Sequence, residues 1–401
     1  MANRFLLAVL LCACPGARAS AVEFIPSARL ALLGGQFYFQ GQDTSFNANA
    51  DWSFTPGLKL SERDLLIPIV SGQYRRTREV QELIGGGYLT QETLDNTLGL
   101  RWVRLLNADW NVKSTLSYKN EMLTESVTEK LGAGIFDYHK VAASVEVERA
   151  GQGLVRSMRH GVGAYAVRFY HYRALSAEVS DLGSEVNAGD RVLDFDAYEY
   201  TAAVDLVPDD RTLLAFSVTG SLRPYRDQKI VTVAGTYLNQ NRFDAFVSGA
   251  ASVRRTLPEW GPLESSLGLN GAYSRLESSQ HNYDAQNTRF NPGYYDYGEI
   301  SAGPFVAARL WKKLAATVAY DYTRRAFDHR PVQDETGVYG DKAIRLDTHT
   351  VNLSASYALG RGFSLRAQGT YRRSTSNMLY ESAYRYNYWT ANYYAGIGWA
   401  L

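Results

Sequence analysis

The chain has 401 residues, and its 42 Lys and Arg stand against 41 Asp and Glu, so no charge excess marks a nucleic-acid ligand or a disordered acidic tail. Its only cysteines, Cys12 and Cys14, lie at the start, which excludes disulfides, thiolate metal sites and a cysteine nucleophile from the remainder. With 28 Tyr, 16 Phe, 7 Trp and 34 Gly the sequence is aromatic and glycine-rich, and no later run approaches the ~18 apolar residues of a membrane helix; a β-barrel stays open.

Met1–Ala21 combines Arg4, an apolar stretch from Phe5 to Ala13 and Ala19-Ser20-Ala21, the three parts of a secretory signal peptide cleaved before Val22. A second reading makes Cys14 an acylated cysteine after Leu11-Cys12-Ala13. Cleavage removes Arg4, Arg18 and both cysteines, so residues 22–401 form one cysteine-free domain of 40 basic and 41 acidic residues.

From about Ala28 onward the signal has a period of two residues. The first segment, Ala28–Gln40, is apolar on both faces around Leu30-Ala31-Leu32-Leu33 and reads as a strand, a short helix or a plug. Then Phe46, Ala48, Ala50, Trp52 and Phe54 alternate with Asn47, Asn49, Asp51 and Ser53. The same alternation sets Val141, Ala143, Val145 and Val147 against Lys140, Ser144, Glu146 and Glu148, and Phe363, Leu365, Ala367, Gly369 and Tyr371 against Ser364, Arg366, Gln368, Thr370 and Arg372. Soluble sandwiches alternate too, so connection lengths decide.

Short polar turns fall at Ser61-Glu62-Arg63, Asn107-Ala108-Asp109, Gly151–Ser157, Pro208-Asp209-Asp210, Pro258–Pro262, Lys312-Lys313 and Gly360-Arg361-Gly362. Between them lie a tight loop near Gly41–Thr44 and longer stretches at Thr77–Thr93, Leu123–Gly134, Ala174–Leu193, Tyr225–Asn241, Ser278–Asp296, Asp328–Arg345 and Met378–Arg385. Eight loops and seven turns imply about sixteen strands, or about fourteen if the first segment is not a strand, with both termini on the short-turn side. Trp52, Trp102, Trp110, Trp260, Trp311 and Trp399 sit near the turn ends, where an interfacial girdle belongs.

At the carboxyl end Tyr393, Ala395, Ile397, Trp399 and Leu401 occupy alternate positions to the last residue. This resembles the terminal signal by which Gram-negative outer-membrane proteins are recognised for insertion, although most members end in Phe. The whole layout is similar to porin-like barrels, some of which export polysaccharide or protein. The resemblance implies an all-β, transmembrane antiparallel β-barrel in the outer membrane, with short periplasmic turns and long extracellular loops. It implies contact with lipid and lipopolysaccharide, assembly by the outer-membrane insertion machinery and a possible homo-oligomer.

No phosphate-binding loop, zinc-protease motif or Gly-x-Ser-x-Gly elbow is present, and no cofactor or metal is implied. Inward parity assigns Arg101, Lys113, Lys140, Arg168, Arg223, Arg254, Arg309, Arg325, Arg366 and Arg372 to the lumen with Asp51, Glu146, Glu148, Glu199, Asp205 and Asp321. These charges either form a basic ladder through Arg325, Arg366 and Arg372 that favours anions such as acidic sugars, or pair across strands and keep the lumen wet. His139, Asp137 and His171 converge on one rim as a catalytic or metal pair, or as interfacial polar residues. The tyrosines of Asn291–Tyr297 suit sugar stacking or a headgroup belt, and Asp190, Asp194 and Asp196 suit calcium or solvated loop bases. Three functions follow: a water-filled channel for passive or weakly selective diffusion of small polar solutes, the barrel of an export or assembly system, and a barrel enzyme acting on lipid.

Overall fold

A computed structural model describes residues 22–41, 44–76, 79–82, 87–90, 92–124, 129–172, 191–381 and 385–401. The segment read as a signal peptide, Asp190 and parts of five expected loops lie outside the described residues.

Hydrocarbon offers no water to backbone N–H and C=O groups, so a spanning sheet must close its own hydrogen-bond ladder. Sixteen strands do this in sequence order, each antiparallel to the next. They are Ala28–Phe39, Ser45–Phe54, Asp64–Arg75, Glu92–Leu105, Trp110–Thr124, Tyr138–Ala150, Val155–Arg168 and Phe195–Asp209, then Thr212–Val231, Tyr237–Thr256, Leu263–Ser278, Tyr297–Leu310, Leu314–Gln333, Tyr339–Gly360, Phe363–Ser376 and Tyr388–Ala400. The first pairs with the last from Arg29↔Ala400 to Phe39↔Thr390, which closes the ring. Two three-residue strands, Glu23–Ile25 and Gly57–Lys59, pair with each other at the short-turn end, where Lys59 lies 3.8 Å from Glu23 and 3.3 Å from Glu62.

The doubly apolar first segment is thus a barrel strand. Leu30 and Leu32 face outward and are exposed, whereas Ala31, Leu33, Phe37 and Phe39 face inward and are buried, Phe37 to 2 % exposure. Asn47, Asn49 and Tyr394 on the flanking strands are buried on the same inner face. Apolar residues on both sides therefore mark a wall packed on both sides.

Outside, Leu98, Leu116, Val162, Val218, Leu353 and Ile397 are large, apolar and exposed, as a lipid-facing belt requires. Toward the short turns this belt ends in tryptophan: Trp102 donates from Nε1 to Asp64 at 3.1 Å, and the guanidinium of Arg149 lies 5.7 Å from the ring of Trp110. Trp260 and Trp311 are exposed in the turns themselves.

Two expected loops prove to be strand. Thr212–Val231 and Tyr237–Thr256 have 20 residues each and meet at residues 232–236, so Tyr225–Asn241 is mostly an extended hairpin. Leu314–Gln333 and Tyr339–Gly360, with 20 and 22 residues, absorb Asp328–Arg345 in the same way. The second hairpin turns where Asp334 accepts backbone N–H groups of Thr336 and Val338 and Gly337 takes a φ of +86°. The polar composition that suggested loops belongs to strands that continue beyond the lipid.

Gly396 faces inward on the closing seam, where an added Cβ would collide with the Leu32 carbonyl oxygen. Gly396→Leu should abolish most of the fast-migrating band of unheated protein on a denaturing gel. Gly369→Ala, whose Cβ would meet nothing nearer than Asn392 O at 3.4 Å, should retain that band.

Candidate functional site

The register divides the charged side chains between two faces. Lys113 lies 2.8 Å from both Glu146 and Glu148 on the inner wall, Lys119 is 2.7 Å from Glu121 and 3.6 Å from Asp95, and Arg75 pairs with Asp51. Arg159 reaches Asp205 at 3.0 Å, Arg325 reaches Glu299 at 2.7 Å, and Arg309 lies 3.9 Å from Glu264. Arg101 and Arg254 donate to Thr115 and Ser266, both at 3.1 Å, and Asp321 accepts from Asn352 at 3.4 Å. Lys140 Nζ lies 3.7 Å from the Tyr165 ring centroid on the inner face, where Glu199 sits opposite Ser221. About half of the inward cations are therefore neutralised sideways, along the wall. Arg223, Arg366 and Arg372 also face inward, with no carboxylate partner among the described residues.

Arg168 is a correction. His139 pairs with Arg168 and Lys140 with Val167, one residue away from a register that would set Lys140 opposite Arg168. A one-residue slip exchanges faces, so Arg168 lies on the outer rim with Asp196, and Arg226 lies 3.3 Å from that carboxylate. Arg75, Asp95, Lys119, Glu121, Arg159, Glu264 and Glu299 are inner-wall charges that the sequence reading missed, although parity within their strands carries the signal.

At one end of this wall lies a cavity of about 380 Å³. The extended hairpin Thr212–Val231/Tyr237–Thr256 contributes Arg223, Tyr225, Arg242 and Asp244, and neighbouring strands contribute Leu276, Tyr297, Arg325 and Phe327. Arg242 is buried and bonds Asp244 through two nitrogens, at 2.8 and 2.7 Å, between the rings of Tyr225 and Tyr295, each 4.5 Å away. A guanidinium tolerates burial when its charge and donors are met this way.

The tyrosine run has a specific place here. Tyr294 lies against Arg330 at 4.5 Å, Tyr295 against Arg242 at 4.5 Å and Tyr297 against Arg325 at 4.3 Å, so successive tyrosines clasp three arginines of the lumen mouth. Asp296 anchors the run by accepting the Ser278 N–H at 2.7 Å, and burial pushes its carboxyl pKa up. Two apolar clusters close around the cavity: Leu123, Phe136, Val192 and Leu193 in one, and Phe327, Ile344, Met378 and Tyr386 in the other.

The histidine rim resolves into separate parts. Asp137 is fully buried and accepts the N–H groups of Leu123 at 2.8 Å and Gly134 at 3.1 Å, while His171 Nδ1 lies 3.6 Å from it. His139 instead stacks on the outer face, 5.6 Å from Tyr170 and 6.2 Å from Tyr118. The carboxylate clamps a loop. Asp194 clamps another, through the Phe169 N–H at 2.8 Å, and among the described residues no group of His, Cys, Asp and Glu could hold a metal. At the carboxyl end Tyr393, Ala395, Ile397 and Trp399 share the outward face, and Leu401 is exposed.

No protein-family model and no curated protein matches this sequence. Among solved structures, in-vitro folded OmpT of Vibrio cholerae in its trimer form is 10% identical with a TM-score of 0.44, over 94% of this chain and 99% of that one. OccD3 of Pseudomonas aeruginosa is 10% identical with a TM-score of 0.46, over 94% and 91%. A bacterial polysaccharide outer membrane secretin is 10% identical with a TM-score of 0.42, over 93% and 98%.

Removing the Asp137 carboxylate strands two buried N–H groups, at a local cost of about 1–3 kcal/mol. Asp137→Ala should therefore speed amide exchange at Leu123 and Gly134, measured by mass spectrometry, without loss of the barrel. Burial also raises the pKa values of Asp137, Asp194 and Asp296 in the folded state. Such a group binds its proton more tightly when folded, so its contribution is complete below the unfolded carboxylate pKa and is lost as pH rises through the folded value. Loop protection, corrected for intrinsic exchange, should fall as pH rises through that window.

Proposed function

We propose that this outer-membrane barrel is a water-filled channel for the diffusion of small polar solutes, with a weak preference for anions. One observation carries the reading: the interior is polar and partly neutralised sideways along the wall, which keeps it wet, while Arg366 and Arg372 remain without a carboxylate partner among the described residues. Paired charges contribute little net field, so the uncompensated arginines set the sign seen by a passing ion.

Apolar clusters and the clasped tyrosine run at the mouth support a selective opening rather than a wide export conduit. A lipid-directed catalytic step has no support from Asp137, whose oxygens accept loop N–H groups, or from His139, which stacks between tyrosines. In this reading the chain reaches the outer membrane of a Gram-negative bacterium through a signal peptide ending at Ala21. Its outward Tyr393, Ala395, Ile397, Trp399 and Leu401 then engage the insertion machinery, and lipopolysaccharide surrounds the loop end.

Refolded protein in a planar bilayer should give steady conductance steps, and a salt gradient should give a reversal potential of the sign for anion preference. Changing Arg366 and Arg372 together to Ala should reduce that preference by at least half. Silence from protein that still shows heat-modifiable migration would overturn the channel reading.

A further inference from the structure

We infer that the mouth cavity binds a small monocarboxylate with an aromatic or cyclic apolar body, and that Arg223 holds its carboxylate. The inference deepens the channel reading, on which it rests only in that a solute must reach the interior.

Charge bookkeeping identifies the binding group. Three guanidiniums line the cavity, those of Arg223, Arg242 and Arg325. Arg242 is bonded to Asp244 at 2.7 and 2.8 Å, and Arg325 to Glu299 at 2.7 Å. Arg223, the neighbour of Asp244 across the strands, makes no ion pair with it; that carboxylate holds Arg242 and also accepts the Ser278 hydroxyl at 2.6 Å. Arg223 donates from Nε to Ser221 at 3.3 Å, and the Phe246 ring covers it at 5.1 Å. Its terminal nitrogens have no carboxylate among the described residues, so one positive charge is left over beside a wall to which six apolar side chains contribute. A guanidinium in that setting has lost part of its hydration and presents the fork geometry that a carboxylate matches with two parallel bonds.

The rest of the wall selects the body of the ligand. Phe136, Phe169, Phe195, Leu276 and Phe327 offer no hydroxyl or amide, and the nearby tyrosine faces lie against Arg242 and Arg325. A sugar acid would have to set several hydroxyls against these apolar side chains, whereas a flat apolar ring brings no hydroxyl that needs a partner. A dianion would need a second uncommitted guanidinium. The volume of about 380 Å³ lies in the range of small-molecule sites.

The test is calorimetric binding to folded protein in detergent, a readout independent of conductance. Sodium benzoate is the probe, compared with benzyl alcohol, sodium glucuronate and sodium phosphate. Benzoate should bind saturably and at least tenfold more tightly than each of the others. Arg223→Gln should weaken benzoate at least tenfold and Arg223→Lys less, while Arg373→Gln, which removes a cation from the outer face, should leave binding intact. Heat-modifiable migration confirms that each variant is folded. Absence of benzoate binding, equal binding of benzyl alcohol or glucuronate, tighter binding of phosphate, or an unaffected Arg223→Gln each overturns the assignment. A silent bilayer with benzoate binding retained sinks the channel reading and leaves the site; a conducting protein that ignores benzoate does the reverse.

Discussion

Everything in this molecule follows from one constraint: in hydrocarbon no backbone N–H or C=O may go unmet, so the first strand must find the last. The eleven registered pairs between Arg29–Phe39 and Thr390–Ala400 are the contact that turns a long meander into a barrel. Close approach at that seam, with glycine at 35 and 396, lets the two chain ends meet without a side chain between them. Once the ring is shut, each residue is committed to lipid or lumen, and the rest of the design is a sorting of side chains between two solvents.

The lumen wall manages its charge by local pairing. Lys113 with Glu146 and Glu148, and Lys119 with Glu121 and Asp95, connect adjacent strands or alternate residues of one strand, so each charge is met within about two strand spacings. This keeps water attracted to the wall while flattening the long-range field. Function on this reading depends on the exceptions, inward arginines with no carboxylate partner among the described residues, which are Arg101, Arg223, Arg254, Arg366 and Arg372.

At the mouth the chemistry changes from wet pairing to buried pairing. The extended hairpins carry the wall beyond the membrane, and their inner faces meet loops that return over them. Arginine serves here as a packing residue as much as a charge, its planar head clasped by tyrosines and its donors fixed on Asp244 or Glu299. The loop clamps of Asp137, Asp194 and Asp296 place a carboxylate under backbone N–H groups for the same reason that strands pair: polar backbone taken from water needs a partner.

The period of two residues, the seven short turns and the tryptophans beside them were sufficient to indicate an all-β barrel of about sixteen strands, because side-chain alternation is local and a membrane wall has only two faces; whether Ala28–Gln40 made the count sixteen or fourteen was decided by its pairing with the last strand. Within-strand parity was equally readable, which is why the basic positions Arg366 and Arg372 could be placed on one face from Gly362–Ser374 alone. What local pattern could not determine was register across a turn, and Arg168 shows the cost: one residue of slip moved it from lumen to rim. Nor could composition tell a polar loop from a strand continuing into water, as Tyr225–Asn241 and Asp328–Arg345 demonstrate. The mouth lay furthest from reach, since Arg223, Arg242, Tyr295 and Phe327 are distant in sequence and meet only when the ring closes and the loops fold across it. Only tertiary structure decides which charge is already paired, because pairing is set by distance in space and not by spacing along the chain.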